Sequence, residues 1–317
     1  MASMSRHRAP YPQWLYGVYD QVQLIRRFFF LRARLSSPTL AVPPLFIIGS
    51  GRSGNTLLRA ILYQHPAFCI PPESYVLGDV VRWFRMYSFL PWPTLSTAVL
   101  DIFETHPQFH AWEIDLRELR ASVRTYAPPR QTLADLLDAL YRYYHAIKKP
   151  EAVRWGDKTP LNTFYVDRIH SVFPGAQYIH IIRDGRDVVA SYLGSGHYDS
   201  LELACRRWQI SVHRAQRFAR SIGERQYMEI RYEDLVSTPE ETIRGLADFL
   251  NVEFIDAMLR PQEIAGDLGD THLPHHANVA NPISTASIGR WKHELTEEQQ
   301  AILMRELGSD LDSLRYT

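Results

Sequence analysis

Residues 45–65 read LFIIGSGRSGNTLLRAILYQH, and this stretch decides the expected fold. Leu45, Phe46, Ile47 and Ile48 form a continuous apolar run bounded by Pro43, Pro44 and Gly49, the pattern of a strand buried on both faces. Leu57, Leu58, Ile61 and Leu62 then recur at helical spacing, and His65-Pro66 ends the run. Between strand and helix, Gly49, Gly54 and Thr56 keep the spacing of a phosphate-binding loop, G-x-x-x-x-G-K-[ST]. Asn55 stands where lysine is usual, and Arg52 is an earlier cation. Glycines let successive backbone N–H groups turn toward one anion at the positive end of a helix, so an oxyanion ligand is expected. Loss of the lysine weakens the case for magnesium-assisted phosphoryl transfer. Strand, loop and helix together predict a P-loop-containing α/β fold with a mostly parallel central sheet flanked by helices.

The segment GSGRSGNTLLRAILYQHP, residues 49–66, resembles the 5′-phosphosulfate loop of sulfotransferases that use 3′-phosphoadenosine 5′-phosphosulfate (PAPS), R-S-G-T-T-x-x-x-x-x-L-x-x-H-P. Asn55 replaces the first threonine of that pattern. The resemblance implies that Gly51, Arg52, Ser53, Gly54, Asn55 and Thr56 hold the donor, largely through the backbone. Glu73 follows Pro71-Pro72 at the expected start of a new helix, where a carboxylate is favoured electrostatically. Protein-tyrosine and heparan-type members carry a catalytic glutamate at a similar distance after the H-P pair, so the resemblance makes Glu73 the base. Without it, Glu73 reads as a helix N-terminal acid.

Residues 153–156 read as a short strand with Asp157, Lys158, Thr159 and Pro160 at its end, where α/β sheets place their ligand crevice. DKTP resembles a family motif whose lysine contacts the transferring group, so Lys158 would supply the cation that Asn55 does not. The alternative is a turn whose Asp and Thr cap the next helix. AQYIHIIRDGRDVVASYL, residues 176–193, gives a strand over 178–182 and a helix, and resembles the family's 3′-phosphate block. Arg183 and Ser191 occupy the matching positions, and a guanidinium fork with a hydroxyl suits a phosphomonoester. Arg186 reads as a salt-bridging surface residue. Tyr232 in RYEDL matches an adenine contact, or is a tyrosine packed under the sheet. Ser287, Gly289, Arg290, Trp291 and Lys292 stand in a G-x-W-K-like element that the family folds over the nucleotide, which makes Ser287 and Arg290 contacts.

At 317 residues the chain suits an N-terminal arm or helix, 1–40, and one sulfotransferase-like domain, 41–317. Lys plus Arg equals Asp plus Glu at 35 each, a balance that argues against nucleic acid as the main partner. Cys69 and Cys205 form no C-x-x-C pair, no N-x-[ST] site occurs, and no apolar run reaches membrane-spanning length, so a reducing, cytoplasmic setting is expected. Residues 24–35, LIRRFFFLRARL, are read either as an amphipathic helix on a membrane surface or as a helix docked on the domain. Residues 91–150 read as helical, with Leu133, Leu136, Leu137, Leu140, Tyr141 and Tyr144 as core, and this insertion is where an acceptor pocket would be built. Thr238 with Glu241, and Thr296 with Gln299, read as capping boxes. His272, His275 and His276 lack clustered acidic or cysteine ligands, so an exposed loop is expected there and no metal.

The expected activity is in-line transfer of a sulfuryl group from PAPS to a hydroxyl of a small molecule, glycan, lipid or peptide tyrosine. In that reading Glu73 takes the acceptor proton, while Arg52, Lys158 and the loop amides hold the sulfuryl and leaving phosphate oxygens. Its rivals are a P-loop kinase or nucleotide hydrolase, and a nucleotide-binding module without turnover.

Overall fold

The computed structural model describes residues 34–38, 40–269 and 279–316. The stretch 24–35 lies outside the described residues except at its last two positions, and His272, His275 and His276 lie outside them entirely. Strands β1 (Leu45–Ile48), β2 (Phe68–Cys69), β3 (Arg154–Lys158), β4 (Gln177–Ile182) and β5 (Tyr227–Arg231) form one sheet in the order β2-β3-β1-β4-β5. Every pairing is parallel. β1 takes the centre because all four of its residues are apolar and buried. The chain reaches β3 on one side of β1 and then crosses to β4 on the other. At such a reversal an open parallel sheet leaves a crevice beyond its strand C-termini. Register sets Ile47 beside Lys158 and Ile48 beside His180, so the glycine loop, the end of β3 and the residues after β4 open on one edge.

Helix α1 (Asn55–Gln64) buries Leu58, Ile61 and Leu62 and stops at His65, whose amide bonds the Leu62 carbonyl. β2 escapes sequence detection because it has two residues between Pro66 and Pro71-Pro72, too few for any periodic signal. Glu73 is not at a helix start. It lies in the loop after β2, where Tyr75 takes a left-handed φ of 57° and turns the chain, and α2 (Leu77–Tyr87) begins later with Asp79 as its first-turn acid. β3 begins after Val153, which is exposed, and runs through Asp157 and Lys158. An apolar-run reading stops short of these two, because their burial rests on specific polar partners in place of hydrophobicity.

Residues 91–150 are helical as expected: α3 (Trp92–Glu104), a 3₁₀ turn (Phe109–Trp112), α4 (Arg117–Arg124) and α5 (Leu133–Lys148). α5 turns its leucines inward and stacks Tyr141 on Trp155 of β3 at 4.2 Å. The remaining helices are α6 (Val166–Val172), α7 (Gly185–Gly194), α8 (Leu201–Ala219), α9 (Tyr232–Ser237), α10 (Pro239–Leu250), α11 (Trp291–Glu294) and α12 (Glu297–Ser313). A second apolar cluster, with Val188, Trp208, Leu303 and Leu307, joins α7, α8 and α12 beside the main core on the sheet. The box expected of Thr238 and Glu241 does not form. Thr238 ends α9 and starts α10 at once, and its hydroxyl donates back to the Asp234 carbonyl. The Thr296–Gln299 box does form. No described helix is long and apolar enough to cross a membrane.

Candidate active site

The loop after β1 is held from three sides. Thr163 Oγ1 accepts from the Gly49 amide at 2.8 Å and donates to the Gly49 carbonyl at 3.0 Å. The Ser50 and Tyr192 hydroxyls share a hydrogen bond of 3.0 Å. Asn55 Nδ2 donates to the Ser50 carbonyl at 2.7 Å. Asn55 is buried, so this substitute for the usual lysine or threonine is a strut that closes the loop on itself. Gly54 has φ 94°, and a Cβ added there would lie 2.5 Å from the Tyr232 ring. Only glycine allows that approach without strain.

A cleft of about 680 Å³ opens over the loop, lined among others by Gly51, Arg52, Gly54, Asn55, Thr56, Glu73, Arg183, Ser191, Tyr232, Ser287 and Arg290. Ser53 and Lys158 are buried and are not among the lining residues. Lys158 is fully buried, and its Nζ donates to two cleft-lining residues, to Glu73 Oε1 at 2.5 Å and to Thr56 Oγ1 at 3.3 Å. Parallel pairing of β1 with β3 brings the lysine to the loop. A second bond holds the glutamate to it, since the Ser74 amide donates to Thr159 Oγ1 at 2.9 Å. Asp157 anchors the strand end from below. Its carboxylate accepts from Tyr141 Oη at 2.6 Å and Asn162 Nδ2 at 2.7 Å, and burial pushes its pKa up. Thr159 precedes the next 3₁₀ turn without a side-chain cap, so the capping alternative for DKTP does not hold at Thr159.

The second group of cations gathers at the end of β4. Arg183 Nη1 donates to the Arg52 carbonyl at 3.1 Å, its Nη2 donates to the Ser287 carbonyl, and its guanidinium lies 4.5 Å over the Tyr232 ring. Arg52 has a left-handed φ of 66° and sends its Nε to Ser191 Oγ at 2.9 Å. Its side chain thus joins the glycine loop to the Arg183–Ser191 block. Burial, followed by the neighbouring Arg183 charge, lowers the Arg52 pKa. Tyr232 is both buried and cleft-lining, so its two readings merge. Arg186 is not a surface residue. It is buried, pairs with Asp184 at 2.8 Å and lies 4.6 Å from the Trp291 ring.

Sequence reading overlooked Asp187, which accepts from the Gly289 amide at 2.8 Å and the Trp291 amide at 3.1 Å and so fixes the Ser287–Arg290 turn. It also overlooked Tyr75, Tyr192 and Arg207, which line the cleft. Only Asp187 and Tyr192 carried a signal, through their place in the RDGRDVVASYL block. Lys292 does not line the cleft.

A glycine loop at the reversal of a parallel sheet, with buried cations at two strand ends, defines a protein built to bind an anionic ligand in that crevice. The chain belongs to the sulfotransferase family, which its residues 43–256 match. It is therefore an enzyme that transfers a sulfuryl group to a hydroxyl, and the kinase, hydrolase and non-catalytic readings fall away. Among its relatives is the omega-hydroxy-beta-dihydromenaquinone-9 sulfotransferase of Mycobacterium bovis, 24% identical over 89% of this chain and 78% of that one. The protein-tyrosine sulfotransferase 1 of Danio rerio is 23% identical over 85% of this chain and 73% of the relative. The fold is that of the sulfotransferase domain from the Synechococcus PCC 7002 olefin synthase, at a TM-score of 0.61 and 23% identity over 88% of this chain and 98% of that domain. Among the described residues no group of three or more His, Cys, Asp or Glu is placed to hold a metal.

Proposed function

We propose that the donor is PAPS, that its 5′-phosphosulfate lies on the Gly51–Thr56 backbone beside Lys158, and that its 3′-phosphate lies between Arg52, Arg183 and Ser191. The observation that carries this reading is the division of cations into two sets, buried Lys158 at the end of β3 and buried Arg183 past β4 with Arg52 of the glycine loop beside it. Two further features support the fit. Arg183 Nε is a buried donor with no hydrogen-bond partner among the described residues, and the cleft volume is in the range of nucleotide-sized sites. Tyr232 under Arg183 offers a face for the adenine.

Glu73 is the base in this reading. It accepts the acceptor's hydroxyl proton as the new S–O bond forms and the S–O bond to the 5′-phosphate breaks, which releases adenosine 3′,5′-bisphosphate. Lys158, placed between Thr56 and Glu73, faces the oxygen on which negative charge develops. A sulfuryl group carries less charge than a phosphoryl group, and fixed protein cations suffice for it. The relatives named for a menaquinone and for protein tyrosine support a hydroxyl-bearing acceptor, and we propose a lipid, small molecule, glycan or peptide. Cys69 and Cys205 are both free and buried, which supports a cytoplasmic setting.

Two substitutions test the donor assignment. Arg183→Ala is expected to weaken adenosine 3′,5′-bisphosphate by about 100-fold and adenosine 5′-phosphate by about threefold at most, since a charge-assisted contact is worth roughly 1.5–3 kcal/mol. Equal losses in calorimetry would remove the 3′ site. Gly54→Ala is expected to cost the same bisphosphate at least about tenfold in affinity, because a left-handed φ strains alanine by roughly 1–2 kcal/mol and its Cβ displaces Tyr232. An unchanged dissociation constant would mean that the loop bends freely.

A further inference from the structure

The two ends of the cleft differ in chemistry. Arg52, Arg183, Arg207 and Arg290 line it, and the first three belong to the Ser191 end: Arg52 bonds Ser191, Arg183 bonds the Arg52 carbonyl, and Arg207 reaches the hydroxyl of neighbouring Tyr192. Apolar side chains join the lining close in the chain to the Glu73–Lys158 pair. Leu57 follows Thr56, Tyr75 comes two residues after Glu73, and Leu161 comes three after Lys158, and all three line the cleft. Pro282 and Ile283 also line the cleft, between the polar Asn281 and Ser284.

Tyr75 stacks on His106, from the loop after α3, with ring centres 5.1 Å apart and planes 16° apart. Burial lowers the His106 pKa, which leaves this stack uncharged at neutral pH. Glu73 is the one acid lining the cleft among the described residues, and its cation is already paired with it. An acceptor carboxylate or sulfate placed here would lose hydration against apolar side chains and a like charge, with no cation to replace the water. A hydroxyl on an aromatic or aliphatic framework meets no such penalty and gains apolar burial.

We infer that the acceptor is a neutral, apolar alcohol or phenol, seated on Leu57, Tyr75, Leu161, Pro282 and Ile283 with its hydroxyl toward Glu73, and that anionic acceptors, acidic peptides included, are rejected. This rests on the sulfuryl-transfer reading above. The probes are a hydroxynaphthoate and its methyl ester, which differ by one negative charge, and a tyrosine peptide flanked by glutamates. Two quantities are read: kcat/KM with PAPS, and acceptor affinity by calorimetry on protein saturated with adenosine 3′,5′-bisphosphate.

The ester is expected to exceed both the acid and the peptide by about 30-fold or more in each quantity, within the range an apolar pocket can discriminate. Leu161→Lys is expected to shrink that ratio by about tenfold by giving the carboxylate a partner, with bisphosphate affinity held within about twofold as the check on folding. A wild-type protein that prefers the acid or the peptide overturns the inference and leaves sulfuryl transfer standing. Binding of the ester without any transfer overturns the acceptor assignment together with the sulfuryl-transfer reading on which it rests. Absence of ester binding, or an unchanged ratio in Leu161→Lys, overturns it.

Discussion

Lys158→Met is expected to lower kcat for sulfuryl transfer by about 10²–10³-fold, the scale on which removal of one fixed donor from a developing oxyanion acts. Methionine is the informative replacement because Lys158 is fully buried, and a thioether of similar length keeps the space filled without the charge. The same change strips Glu73 of its partner at 2.5 Å. Its carboxylate is then freed toward the cleft, where water can reach it. Affinity for adenosine 3′,5′-bisphosphate should change by less than about fivefold, because the grip on that ligand comes mainly from the loop amides and the Arg183 cluster. Steady-state kinetics with a saturating donor and calorimetry on the product separate the two effects. A variant that loses product affinity in parallel with kcat would make Lys158 a nucleotide-binding residue and not a stabiliser of the leaving group.

Glu73→Gln should reduce kcat by about 10²–10⁴-fold, the range associated with a positioned general base. Glutamine keeps the length and can still accept from Lys158 Nζ, but it cannot take a proton. Product affinity should be preserved here as well, since no contact of Glu73 reaches the Arg52–Arg183 cluster. Because Glu73 and Lys158 form one hydrogen-bonded unit, the double variant should fall far short of the product of the two single losses. Multiplicative losses would mean that the pair acts independently, and full activity in Glu73→Gln would remove the base from its role.

The sequence makes the centre of this molecule legible and its flanks less so. The β1–loop–α1 unit could be read because all its signals are local: an apolar run, glycines at fixed offsets, and a helical stripe ended by His65-Pro66. The Arg183–Ser191 block is similarly local, with both residues on one strand–helix turn. What sequence alone missed are consequences of pairing across the sheet. Lys158 meets Glu73 only because β3 pairs with β1 on one side and with the two-residue β2 on the other. Arg52 meets Ser191 and Arg183 from a left-handed backbone conformation, which has no sequence mark in a non-glycine residue. The acceptor wall draws on Tyr75, Leu161 and Ile283 from three separate segments, and no motif marks any of them.

One titration bears most directly on the central claim that a single cleft grips both anionic ends of an adenosine donor through protein cations. Calorimetry on the wild-type protein in excess EDTA should give adenosine 3′,5′-bisphosphate an affinity at least about 100-fold higher than adenosine 5′-phosphate or ADP. Equal affinities for the three nucleotides, or bisphosphate binding that appears only after magnesium is restored, would contradict it.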